Sequence, residues 1–132
     1  MFEASNFTKQ SIAECEFGGA AHEPAETYTM RLFSDTVDLG GDGTEITTGG
    51  YAEVEFDNDN VTFPFLNNGT SENAVVIQTD VFTDDSPAIK SVGFFDENGN
   101  LRYRKVYPDN AVFVLSGNVF RLDTGMLTFS LS

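Results

Sequence analysis

From residue 27 onward the chain is a succession of short runs in which apolar and polar side chains alternate, each run cut off by a polar turn. A period of two puts successive side chains on opposite faces of an extended chain, so each run reads as a half-buried strand. In 27–33, Tyr28, Met30 and Leu32 share a face. In 51–56, Ala52, Val54 and Phe56 point inward and Tyr51, Glu53 and Glu55 outward. Val61, Phe63 and Phe65 alternate again, and Pro64 marks an edge or a strand end. The run 73–79 is apolar at 74–77 and reads as a more deeply buried strand. In 88–95, Ala88, Val92 and Phe94 lie on one face, Ile89 and Phe95 on the other. Asp96-Glu97-Asn98-Gly99 is a turn signal, so Phe95 and Leu101 flank a hairpin. Along 101–107 the alternation of Leu101 and Tyr103 slips phase at Lys105-Val106, where a bulge is expected. Runs at 111–115, 118–122 and 125–131 complete the set, the last with Leu127, Phe129 and Leu131 in phase. The fold class is therefore mainly β: an antiparallel β-sandwich or a closed barrel. Thirteen Phe and no Trp suit a core filled by mid-sized aromatics.

One short N-terminal helix is expected over 5–17. Ser5 or Asn6 can cap it, because a short polar side chain accepts from the free N–H groups of the first turn. Phe7, Ser11, Ile12 and Cys15 form a narrow apolar stripe, which makes Cys15 a small buried hydrophobe. Gly18-Gly19 ends the helix, since glycine takes the left-handed conformation without a Cβ penalty. A polar link, 20–26, follows. A length of 132 residues fits one domain, 1–132, with the helix at 5–17 and the sandwich over 27–132. No internal repeat, heptad or low-complexity tract is present, so the chain does not build a fibrous shaft by itself.

Charge narrows the partners. The net charge is −14, and it is unevenly spread. Residues 1–85 hold 17 acids and 2 bases (net −15), whereas residues 86–132 hold 4 acids and 5 bases (net +1). Such a chain repels nucleic acid and anionic membranes. Lys90, Arg102, Tyr103, Arg104 and Lys105 form a candidate interaction surface that could meet the acidic half of a neighbouring copy; a basic, solvated strand face is the plainer reading. No apolar stretch approaches the ~20 residues that span a bilayer. The first residues lack a signal peptide's positive region and apolar run, so synthesis in the cytoplasm without general secretion is expected, and the sequons at Asn6, Asn60 and Asn68 carry no meaning there. A lone cysteine excludes an intrachain disulfide.

The residues that could carry chemistry are few, and no catalytic, cofactor-binding or metal site is expected. His22 is the single histidine, in a polar link, with no nucleophile elbow for it to serve. One His and one Cys do not make a zinc site. Asp57-Asn58-Asp59-Asn60 begins like a calcium loop but lacks the glycine and distal glutamate, and reads as a polar turn. Asp35, Asp38, Asp42, Asp84 and Asp85 are similar loop acids. Gly40-Gly41-Asp42-Gly43 and Gly49-Gly50 lack the Lys-Ser/Thr of a phosphate loop, and supply positive φ in turns instead.

Phe17-Gly18, Met30-Arg31-Leu32-Phe33, Thr44-Glu45-Ile46-Thr47-Thr48-Gly49-Gly50-Tyr51-Ala52, Phe63-Pro64, Gly93-Phe94-Phe95-Asp96…Gly99-Asn100-Leu101 and Gly125-Met126-Leu127-Thr128-Phe129 follow one another along the chain. In this order the motifs resemble those of a family of small tailed-bacteriophage proteins known as tail fibre proteins. Glu53 stands where the family often has Arg or a polar residue, and Ser34-Asp35-Thr36 where it often has Pro; both bear on surface charge or loop shape. The resemblance implies a non-enzymatic virion structural protein, assembled in the host cytoplasm, that docks on other virion proteins of the tail and forms a homo-oligomer, a trimer being common in such settings. Two other readings stay open: a capsid decoration protein on the major capsid protein, and a carbohydrate-binding attachment module using Tyr28, Tyr51 or Tyr103 as stacking platforms.

Overall fold

The computed structural model describes residues 2–59, 61–64, 70–107, 111–126 and 128–130. Phe65, Leu127 and Leu131, which the alternation places inward, lie outside them, as do Asn60 and Asn68. The fold is mainly β with antiparallel pairing throughout, and no closed barrel forms among the described residues. Strands β1 (Glu3–Ala4), β2 (Thr27–Phe33), β3 (Val54–Asp57), β6 (Ser91–Phe95) and β7 (Leu101–Val106) form a sheet in the order β1-β7-β6-β2-β3. Two short ladders join β4 (Thr70–Glu72) to β9 (Thr128–Ser130) and β5 (Ile77–Gln78) to β8 (Arg121–Leu122).

The main core lies on one face of the five-stranded sheet. Met30, Leu32, Val92 and Phe94 are buried there against Ile77, Phe82, Ile89, Val114, Phe120 and Leu122 of the second layer. Tyr28, Phe56, Phe63 and Phe94 meet edge-on or tilted with ring centroids 5.7–6.3 Å apart, as aromatic quadrupoles prefer. The opposite face carries a smaller cluster, Phe33, Val37, Phe95 and Leu101. The acidic glycine-rich loop lies over it: Val37 is fully buried, and its N–H donates to Ser91 Oγ, which donates to Asp35 O.

The second layer differs from its sequence pattern. The apolar run 73–79 gives only the two-residue β5, and Ala74, Val75 and Val76 are exposed. Asn73 is buried, and its side-chain amide donates to Val75 O and Asp123 O, which fixes an irregular bend. Further on, 77–89 and 112–122 run alongside each other in a broken ladder. Phe120 N–H donates to Thr79 Oγ1 and Val114 N–H to Ser86 Oγ, so hydroxyls stand where backbone carbonyls would complete a strand pair. The run 61–63 is a turn rather than a strand; Asp59 Oδ1 accepts from Val61 and Thr62 N–H, and Val61 is 73% exposed.

The helix α1 (Asn6–Gly18) starts where expected, with Ser5 Oγ accepting from Thr8 N–H at 3.1 Å, and stops at Gly19, φ 70°. Its apolar stripe is not a buried face. Thr8 is the buried residue of the helix; Phe7, Ile12 and Cys15 are exposed. The helix docks mainly through its first turn, Ser5 N–H and Thr8 Oγ1 both donating to Arg102 O and Asn6 N–H to Leu39 O; beyond it Ser11 meets His22, and residues 12–18 face solvent.

Residues 49–51 also turn out differently. The strand begins only at Val54, so Ala52 is exposed and Tyr51, expected outward, lies against Phe82 at 6.0 Å. The Tyr51 hydroxyl donates to Glu45 Oε2 at 2.6 Å and accepts from Leu32 N–H at 3.1 Å. Gly49 and Gly50 permit this path, because they press on the segment 81–84. A Cβ on Gly50, which sits at φ 83°, would run into Val81 O and stand 2.7 Å from Thr83 N. Gly99 has a similar φ of 82° in the hairpin turn, but a Cβ there meets nothing. Gly50→Ala is therefore expected to destabilise the fold by about 2–4 kcal/mol and Gly99→Ala by about 1–2 kcal/mol. Urea unfolding midpoints of the two variants check the ranking; equal losses would mean that close packing at Gly50 contributes nothing.

Candidate functional site

The candidate surface is Lys90 together with Arg102, Tyr103, Arg104 and Lys105 of β7, and the structure divides these residues. The hairpin pairs Phe94 with Tyr103 but Phe95 with Leu101, which leaves Arg102 as an extra residue in a bulge. The irregularity thus sits at Arg102 and not at Lys105-Val106, because Arg102 is drawn inward by charge. Its Nε donates to Asp96 Oδ2 at 2.8 Å and its guanidinium to Glu23 O at 3.1 Å, and it lies 4.7 Å over the Phe7 ring. The Arg102 and Asp96 side chains are 7% and 0% exposed. Arg104 pairs with Glu3 at 3.3 Å and donates to Val37 O at 2.6 Å. Tyr103 packs beside the main core, and burial raises its phenol above the ordinary value. Lys90 is exposed, and Lys105 is half-exposed with its Nζ 5.5 Å from the Tyr107 ring. The five residues do not form one solvent face: two arginines fasten the fold internally, and the lysines project.

Asp35 and Asp38 hold their own loop, and Asp85 holds the segment beside it. Asp35 Oδ1 accepts from Thr44 N–H, Asp38 Oδ1 from Gly40 and Asp42 N–H, and Asp85 Oδ1 from Ser116 N–H. Asp59 is held below the usual carboxylate range chiefly by the Thr62 N–H. Among the described residues no group of three His, Cys, Asp or Glu side chains is placed to hold a metal ion. His22 Nδ1 lies 2.7 Å from Ser11 Oγ at the edge of the helix. Cys15, expected to be buried, is exposed because the helix turns that side to solvent. Tyr28, Tyr51 and Tyr103, the candidate sugar platforms, are each packed against the main core. Burial raises the phenols of Tyr28 and Tyr51, with the Glu45 hydrogen bond adding to Tyr51.

A concave surface does open elsewhere, along the outer side of 112–122. It is a groove of about 550 Å³ walled by Phe113, Leu115, Val119 and Met126, with Lys105 and Arg121 at its rim. It carries no cluster of acid, base and nucleophile, and no sequence motif marked it. The signal available was the run of apolar residues on both faces of 111–115, whose phase alone could not distinguish a core strand from an uncovered edge.

Against known families, the model of the podophage GP4 fiber I protein gp80 matches residues 3–130. The chain belongs to that family. It is a phage structural protein of the tail-fibre type and a component of the virion. No curated protein matches it. Among the described residues no helix is long and apolar enough to cross a membrane.

The Asp96–Arg102 pair makes the fibre protein's stability depend on pH. Burial by itself raises the Asp96 carboxyl, but the Arg102 guanidinium and the N–H groups of Asn100 and Asn98 overcome it and hold the carboxyl below its ordinary 3.8. The pair's contribution is therefore complete above that value and fades as pH falls toward the lower folded value. Asp96→Asn leaves Arg102 buried and unpaired, and is expected to cost about 3–5 kcal/mol at pH 7. Urea titrations from pH 7 to 2 should show the gap to wild type closing in acid; a gap independent of pH would mean that Asp96 is not ionised in the fold.

Proposed function

We propose that the chain works as one non-enzymatic module, residues 1–132, which docks on the phage tail as part of the fibre apparatus and self-associates there. The family match over 3–130 carries this reading. The site supports it: Asp35, Asp38, Arg102 and Arg104 are engaged in loop and sheet contacts, and the open concavity is largely apolar and suits a protein surface. The −14 charge favours neighbours that are basic or neutral over nucleic acid.

Gold-labelled antibody against the chain should decorate the tail of purified virions, at a copy number that a tail can accommodate. Label spread over the head would replace the tail reading with capsid decoration, and absence from virions would remove both.

A further inference from the structure

We propose that the strip 112–115, with the groove beside it, is the surface through which one copy of this chain meets another. The inference rests on the self-association reading above and names its surface.

The first observation is an unpaired backbone edge. Val112 exchanges hydrogen bonds with Ile89, and Val114 bonds to Ser86 in both directions, through its carbonyl and its N–H. The even-numbered residues thus spend their backbone groups on the neighbouring segment. In an extended chain the intervening residues present theirs to the other side, although Leu115 O is taken by Asn118 N–H of the following turn. Among the described residues no group accepts from the N–H of Phe113 or Leu115. An edge of this kind is a ready template for another strand.

The second is its side chains. Val114 is buried, while Phe113 and Leu115 project outward at 63% and 58% exposure, and Met126 across the groove is 51% exposed. An extended segment that is apolar on both faces is the pattern of a strand covered on both. Large apolar side chains gathered on one surface mark an interaction site more often than solvent exposure for its own sake.

The third is charge, and it selects the occupant. The chain has 21 acidic and 7 basic side chains, yet residues 111–122 contain one charged residue, Arg121. The outer strands of the five-stranded sheet are guarded: β3 carries Glu55 and Asp57, and β1 carries Glu3. Charge at an edge blocks pairing, and the 112–115 edge has none. Two copies that each carry −14 repel at most orientations. The groove beside the strip is lined by Lys105 and Arg121 and by no Asp or Glu, so contact there sets no carboxylate directly against the same carboxylate of a second copy. A strongly basic partner would be drawn instead to surfaces that carry the 21 acidic side chains. A second copy presents the same uncharged strip and is the self-complementary occupant that it fits.

Sedimentation velocity of the full chain over low to high micromolar concentration tests this. The wild type should sediment above the 14.4 kDa protomer, and added salt should leave the assembly intact or strengthen it, since screening removes residual repulsion. Phe113→Glu and Leu115→Glu should each weaken association by about tenfold or more with an unchanged circular dichroism spectrum. Folded variants that keep the wild-type mass overturn the strip as the contact while leaving self-association standing. A wild type that stays at protomer mass removes self-association and the strip together. If the variants do not fold, hydrogen exchange on the wild type decides. The N–H groups of Phe113 and Leu115 should exchange more slowly as concentration rises; rates that stay constant while the mass rises overturn the strip.

Discussion

Arg102 is where separate parts of the chain are tied together. Its guanidinium binds the Asp96 carboxylate in the β6–β7 turn and the carbonyl of Glu23 in the link, while its own carbonyl accepts from Ser5 N–H and Thr8 Oγ1 at the head of the helix. The bulge makes this geometry available. A regular hairpin would alternate 101, 102 and 103 between the faces, whereas the extra residue lets Leu101 join the cluster with Phe33 and Phe95 and leaves Tyr103 beside the main core. The helix has one buried residue of its own, so without this anchor little packing would hold it to the sheet. A buried guanidinium is tolerated because Asp96 neutralises it and Glu23 O accepts a second hydrogen bond; left unpaired it would be costly.

The opposite face of the sheet depends on the same strand. Arg104, two residues on, donates to Val37 O and pins the loop that covers Phe95 and Leu101. Gly93 makes room beneath: a Cβ there would stand 2.8 Å from the Phe95 ring and 3.0 Å from Leu101. Charged side chains of β7 thus serve mainly to fasten coverings onto the sheet.

The parts of this fold that were legible in the sequence are those set by local chemistry. The alternation of 27–33 gives β2 with the bounds Thr27–Phe33, Asp96-to-Gly99 gives the hairpin, and Ser5 and Gly19 give the helix ends. The parts that were not legible depend on distant partners. Nothing local tells Tyr51 to reach back to Leu32 and Glu45, or Thr79 and Ser86 to replace backbone carbonyls in a ladder. Basic residues on a strand read as a surface because the sequence does not reveal that Asp96 and Val37 O wait for two of them. The groove went unread for the complementary reason: 112–115 has the same apolar pattern whether its outer face is covered by its own chain or by another.

That ambiguity bears on what a fibre component needs. An enzyme concentrates function in a cleft where titratable groups converge, and here the loop carboxylates instead cap loop amides and the arginines hold loops and the helix. A structural protein concentrates function in edges and faces, where the absence of charge matters as much as its presence. The acids on β3 and β1 deny those edges to a neighbour, and the high charge elsewhere suppresses indiscriminate contact. The strip 112–115 is left as the place where backbone groups and apolar side chains are both available. Specific assembly from a strongly acidic chain requires such a contrast: repulsion over most of the surface sets the orientation, and a short neutral edge supplies the attraction.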